Sequence, residues 1–362
     1  MTVTALHVRG ILLPDDEQRD LYLVGDRVTF EPVAAARTVA DRGWILPGLV
    51  DAHCHLGIRS GGSPVLTAEE AKAFALQDRR AGVLALRDAG GPQTFLRLDD
   101  DPEMPRLARA GRHLSEPGRY VADLALDCTA EQLPDAVAAQ AKAGNGWVKL
   151  VADWIDDTVG DLTPSWDPAT LRRAVDTAHA TGSRVAAHTF GGQAAEALIA
   201  AGVDSVEHGT GLTTETIEAM ARGRIALVPT MLAVDTFRYL AAGAQDRFPA
   251  YAAHLRSLHA GFPALVGAAH DAGVPIYAGS DAGGGVEHGA LAKELLMLHR
   301  EAGISKTEVL AAASWRARDW LGFGGLTEGG PADLVVYDAD PRDDLAVVAA
   351  PARTILRGRL IH

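Results

Sequence analysis

Two textures alternate along the chain. Residues 1 to about 44 carry short runs of alternating apolar and polar positions, such as Thr4-Ala-Leu-His-Val-Arg and Leu21-Tyr-Leu-Val, broken by polar turns. A period of two turns one face of each run to a core and the other to water, which predicts short antiparallel strands. The C-terminal segment reads the same way, in Asp333-Leu-Val-Val-Tyr-Asp and Arg353-Thr-Ile-Leu-Arg-Gly-Arg-Leu-Ile. Between these ends the texture changes. Short, continuous apolar runs alternate with Ala-rich stretches of helical period, the signature of βαβ units and a parallel sheet buried on both faces. In the clearest unit, Arg184-Val-Ala-Ala-His is a strand, Gly192 to Ala201 a helix closed by Gly202, and Val203-Asp-Ser-Val-Glu-His the next strand. Similar strands fall at 45–51, 83–88, 105–110, 146–151, 224–229 and 275–280, eight in all. Eight strands with intervening helices predict a (β/α)8 TIM barrel over residues 45–325. Residues 1–44 and 326–362 then pair as a small β-sandwich. Asp99 to Asp101 form an acidic loop.

Composition narrows the function classes. With 48% hydrophobic and 22% charged residues, the 362-residue chain has the balance of a soluble globular enzyme. A formal charge of −13 argues against nucleic acid and anionic membranes, which reward clustered Lys and Arg, and leaves a small-molecule substrate as the expected partner. Two cysteines, Cys54 and Cys128, are too few for a disulfide scaffold. The N-terminus lacks the charged-then-apolar order of a secretory signal, and no apolar run approaches about 18 residues. The expectation is a cytoplasmic enzyme, with a homo-oligomer open.

Chemistry concentrates at the strand ends. His53 and His55 flank Cys54 at the end of the first barrel strand. Alternate strand residues share a face, so both imidazoles point into the barrel while Cys54 points toward the surrounding helices. Strand four contains Lys149 in Trp147-Val-Lys-Leu-Val; strands five, six and eight close on His188, His208 and Asp281. All lie at the C-terminal end, where barrel active sites are built. Four imidazoles and a carboxylate converging there match nitrogen and oxygen ligation of zinc or a neighbouring first-row metal.

With these residues in place, the chain resembles the amidohydrolase superfamily, in its imidazolonepropionase-like branch that includes metal-dependent dipeptidases. The resemblance rests on PGLVDAHCHL, the strand-four lysine, His188, Glu207-His208-Gly209 and Gly279-Ser280-Asp281, and extends to GLTEGGPADLVVYD at the tail. It implies two divalent ions per chain, with zinc the default. His53, His55 and Asp281 would hold the buried ion, His188 and His208 the second, and Lys149 would bridge them as a carbamate formed with carbon dioxide. Electrostatics favours that last assignment: a protonated lysine is repelled by two dications, whereas a carbamate offers two anionic oxygens. The resemblance further implies hydrolysis of an amide, peptide-like or carbamate C–N bond by a metal-bridged hydroxide, with Asp281 as the base. No GxSxG elbow points to a serine hydrolase.

Other positions follow from placement. Tyr120 and Trp154 are expected in loops after strands three and four, and Thr230 and Met231 after strand seven, all as pocket-lining residues. His288, after the Gly283-Gly-Gly loop, is read as a substrate contact, as a group orienting Asp281, or as a helix-start residue. His254, His259 and His270 read as solvent-facing. Gly118-Arg119-Tyr120 stands where many dipeptidase-like members carry a histidine. A second reading is a mononuclear deaminase or a cyclic-amide ring-opening hydrolase. Deaminases of this superfamily carry a glutamate three residues beyond the strand-five histidine, and here that residue is Gly191. A third is a barrel that only binds.

Overall fold

The computed structural model describes residues 5–362. Thr4, the start of the first alternating run, lies outside the described residues, as do the three residues before it. Barrel strand one is Leu49–Cys54, two Val83–Asp88, three Arg106–Arg109 continued by His113–Ser115, four Trp147–Val151, five Arg184–Thr189, six Ser205–His208 and seven Ala226–Val228. Neighbours pair in parallel in that order. Strand three meets strand four at the Ala110–Trp147 bridge and at Leu114–Leu150.

The eighth segment, 275–282, closes the ring. On one side Leu227 N donates to Pro275 O (2.9 Å) and Tyr277 N to Leu227 O (3.1 Å). On the other, Ala52 N donates to Ala278 O (2.8 Å) and His55 N to Ala282 O (2.7 Å). Gly279 makes this closure possible, since a Cβ there would sit 2.7 Å from the Cβ of His53. Strands one and four are buried at every position, as continuous apolar runs require. The surrounding helices start where their caps are written: Thr67, Asp167, Thr213 and Ser305 each accept backbone N–H groups of the first turn. The helix expected to end at Gly202 does so, with that glycine at φ +82°.

The two chain ends pair into one small sheet of eight strands, the part expected as a β-sandwich. Its strands connect in the order Arg359–Leu360, Arg353–Leu356, Leu334–Tyr337, Trp44–Pro47, Leu6–Leu12, Glu17–Val24, Arg27–Thr29, with Arg37–Ala40 also paired to Leu6–Leu12. It has its own core, including Val8, Leu21, Leu23, Leu334, Val336 and Ile355. One expectation is corrected here. The run 45–51 is two strands, because Trp44–Pro47 pairs antiparallel with Leu334–Tyr337 and the barrel begins at Leu49. The chain turns at Gly48, where a Cβ would lie 2.6 Å from Leu84. Both strands are buried, so no polar break marks the change of partner. Arg318, fully buried at the barrel's base, donates to Asp333 (2.9 Å) and ties the two parts together.

Candidate metal centre

The strand ends deliver the expected residues to one place. His53 Nε2 lies 3.3 Å from His55 Nε2 and 3.3 Å from Asp281 Oδ1, and His55 Nε2 lies 3.0 Å from the same oxygen. Donors about 2.0–2.1 Å from a tetrahedral zinc lie about 3.3 Å from one another, so this triplet has the spacing of a metal site. His188 and His208 stand beside it, their ring centroids 4.7 Å apart, with His208 5.4 Å from His53. Lys149 Nζ and His188 Nε2 are buried without any hydrogen-bond partner. Buried polar atoms are rarely left alone, and two on side chains that line one cavity with the triplet fit a cation and its bridging ligand, with Asp153 Oδ1 3.8 Å from His188 Nε2.

Three of the four histidines are held from behind. His55 Nδ1 donates to Gly90 O (2.7 Å), His208 Nδ1 lies 2.7 Å from Thr230 Oγ1, and His53 Nδ1 meets the carboxylate of Glu207. Anchoring Nδ1 fixes the tautomer that turns an unprotonated Nε2 inward. Burial, with Lys149 and neighbouring histidines adding to it, holds His53 and His188 well below the usual imidazole range, so both imidazoles are neutral at pH 7. Burial likewise pushes Lys149 down to about 8; Arg87 adds to that and the Glu207 charge opposes it. At a value near 8 about one tenth of the amine is already neutral at pH 7, and the neutral form is the one that reacts with carbon dioxide.

The backbone is strained around this cluster. His208, Thr230 and Asp281 all have positive φ, at 64°, 47° and 56°. Non-glycine residues rarely adopt this region, and such outliers cluster at functional sites. His208 ends strand six, Thr230 follows strand seven by two residues, and Asp281 lies in the eighth segment.

Above the cluster lies a cavity of about 220 Å³, lined by all six expected ligands and by Tyr120, Trp154, Phe190, Phe237 and other apolar residues. A larger groove of about 1030 Å³ lies elsewhere, along helices Gly192–Ala201 and Thr214–Gly223, and touches none of these ligands.

Several sequence expectations change. Trp154 sits on a hairpin, Asp153–Asp156 paired with Asp161–Pro164, rather than in a loop. Thr230 is fully buried and faces His208, not the cavity, and Met231 is buried beneath it. His288 is not on the cavity wall: Asp78 of helix Ala68–Arg80 captures its Nδ1 at 2.8 Å, and its ring stacks on Phe74. His254 and His259 are half-buried and bonded to Asp161 and Asp235, because helix 249–271 packs against the hairpin and against helix Met231–Asp235 rather than lying free in solvent. Asp99, in the acidic loop, pairs with Arg109.

Four site residues had no role assigned from sequence. Glu207, fully buried, takes Arg87 Nη2 at 2.6 Å and Ser205 Oγ at 2.5 Å besides His53. Burial raises its pKa, but Arg87, Lys149 and the hydrogen bonds outweigh that and keep the carboxylate charged. Asp51 accepts from Ser280 N (2.9 Å) and His53 N (3.1 Å), stitching strand one to strand eight. His113, completely buried, stands 5.1 Å from the His55 ring, and neither of its nitrogens has a partner. Arg87 was legible as a charge inside the apolar run Val83–Asp88. His113 was hidden because strand three was expected to stop at 110.

The amidohydrolase family model matches residues 44–361. An uncharacterized protein of Mycobacterium tuberculosis is 51% identical over 355 residues, spanning 98% of this chain and 95% of that one. Among solved structures, an Xaa-Pro dipeptidase with bound methionine superposes with a TM-score of 0.82 at 23% identity, covering 99% of both chains. An ochratoxinase of A. niger superposes at 0.83 and 21%, covering 99% of this chain and 95% of that one. No helix among the described residues is long and apolar enough to cross a membrane. With the whole barrel and its return to the end sheet inside the matched region, the chain belongs to the amidohydrolase family, metal-dependent hydrolases that act on carbon–nitrogen bonds.

Proposed function

We propose that this chain hydrolyses an amide, peptide-like or carbamate bond of a small molecule at a binuclear centre. His53, His55 and Asp281 would hold one ion, His188 and His208 the other, and Lys149 both as its carbamate. The observation that carries the reading is the orphaned, buried Lys149 Nζ, whose side chain lines one cavity with His188, His208 and a triplet that already has metal spacing. Two divalent ions, zinc by default, would lower the pKa of a water and polarise the substrate carbonyl. Asp281, one-fifth exposed and in contact with both His53 and His55, is placed to take the proton of the attacking water and pass it to the leaving nitrogen. Tyr120 and Trp154 close over the cluster and keep bulk water from it. The free, buried thiols of Cys54 and Cys128 suit a reducing, cytoplasmic setting.

A one-metal centre is the second reading, favoured because only His53, His55 and Asp281 bring ligand atoms within 4.8 Å of one another among the described residues. Elemental analysis decides. Two metals per chain after growth with excess zinc supports the binuclear reading; one metal, with full activity, refutes it.

A further inference from the structure

The cavity walls speak to what enters. Beyond the metal-facing cluster the wall is aromatic and aliphatic: Tyr120, Leu124, Trp154, Phe190, Phe237 and Leu240. The aromatic contacts form a continuous run that starts at a ligand. His188 stands 4.3 Å from Phe190 and 5.4 Å from Trp154, Trp154 meets Tyr120 edge-on at 4.7 Å, and Phe190 meets Phe237 at 4.7 Å. Apolar surface therefore reaches the reacting centre itself. It also continues outward, where Val121 and Leu240 are 40% and 48% exposed at the rim.

Charge is what the wall lacks. No arginine lines the cavity, and Lys149 and Asp281 are its only lysine and carboxylate among the described residues. The guanidinium groups carried by the loops nearby are spent elsewhere. Arg119 Nη2, one residue from Tyr120, donates to Trp154 O (2.9 Å), Thr163 O (2.8 Å) and Thr163 Oγ1 (2.7 Å). Arg59, beside the lining residue Ile58, is bonded to Glu70 (2.5 and 2.7 Å) and to Pro64 O (2.6 Å). Arg112 donates to Asp123 O. Away from Lys149 at the metal-facing end, a substrate carboxylate would shed water here without gaining a cationic partner, whereas aromatic rings would gain offset and edge contacts.

We infer that this cavity takes an uncharged amide-type molecule bearing an aromatic or branched apolar group, and discriminates against free amino-acid carboxylates and zwitterionic dipeptides. Which bond breaks rests on the hydrolase reading above; which molecule enters is read from the walls alone.

The test uses two probes that differ only by a carboxylate, N-isopentylbenzamide and N-benzoyl-leucine. Calorimetric binding to the metal-free protein removes metal–carboxylate attraction and chemistry from the comparison. The neutral amide should bind roughly tenfold tighter or more, the order expected for desolvating an unpaired charge in a partly open site. Turnover of the metal-loaded enzyme should follow the same order in kcat/KM. Leu240→Lys, at a half-exposed rim position, should narrow the difference severalfold. Equal binding, tighter binding of the carboxylate, binding of neither probe, or a ratio unmoved by Leu240→Lys overturns the inference and leaves the hydrolase reading standing. Tighter binding of the neutral amide without turnover of either probe supports the inference and counts against the hydrolase reading.

Discussion

Glu207 is the residue whose loss separates folding from metal binding most cleanly. Its Oε2 receives both Arg87 Nη2 (2.6 Å) and His53 Nδ1, and its Oε1 receives Ser205 Oγ. Glu207→Gln preserves shape, and an amide oxygen in the Oε2 position still accepts from both neighbours. What disappears is the charge. Arg87 is 1% exposed and lies with its guanidinium carbon 4.6 Å from the Trp147 ring centroid, so its cation would be left unbalanced. Breaking a buried ion pair from one side costs about 3–5 kcal/mol. At about 2.1 cal/mol/K per residue over 362 residues, that lowers the Tm of the metal-free protein by about 4–7 °C. Separately, His53 keeps an acceptor at Nδ1 but loses the anionic one that strengthens its Nε2 as a ligand, and metal affinity should fall by about 10–100-fold. Adding Arg87→Met removes the stranded cation and should restore most of the stability but none of the affinity. Thermal unfolding without metal and chelator competition with zinc measure the two quantities independently. If the double variant recovers metal affinity, Glu207 acts through Arg87 and not through His53, and the reasoning fails. A single variant with unchanged Tm would refute the ion-pair argument.

Three further outcomes are expected. Lys149 is pushed down to about 8, below the ordinary lysine value, so its neutral, reactive fraction grows from about one tenth at pH 7 to about nine tenths at pH 9. At fixed dissolved 13C-labelled carbon dioxide, carbamate formation followed by NMR should speed up about tenfold over that interval, and Lys149→Ala should lose the signal and the metal; a flat pH profile contradicts the assignment. Asp281→Asn should lower turnover by about 10²–10⁴-fold while retaining the fold and metal at His188 and His208, and retention of more than about a tenth of wild-type turnover would assign the proton to another residue. His113→Phe replaces two orphaned nitrogens, each costing about 1–3 kcal/mol of desolvation, with an apolar ring. It should raise the Tm of the metal-free protein and lower metal content on reconstitution; unchanged metal content would leave His113 without a part in the centre.

Local signals carried much of this protein. Continuous apolar runs separated by helical stretches were enough for eight strands, because a sheet buried on both faces tolerates few polar residues, and the exceptions at its C-terminal edge stood out as His53, His55, Lys149, His188, His208 and Asp281. Period two placed both His53 and His55 inward without any tertiary information. Helix ends were equally local, as at Gly202. Tertiary structure decided everything that depends on which distant residue lies opposite. Glu207 finds His53 across 154 residues of sequence, and His288 finds Asp78 across 210. Neither partner is encoded by spacing, and so His288 left the pocket and Glu207 joined the site. The split of 45–51 at Gly48 follows the same logic, since two buried strands differ only in what they pair with. Thr230 turned from the cavity to His208 because its strained φ of 47° re-aims the side chain, a backbone state that closing the ring imposes and no short stretch of residues specifies.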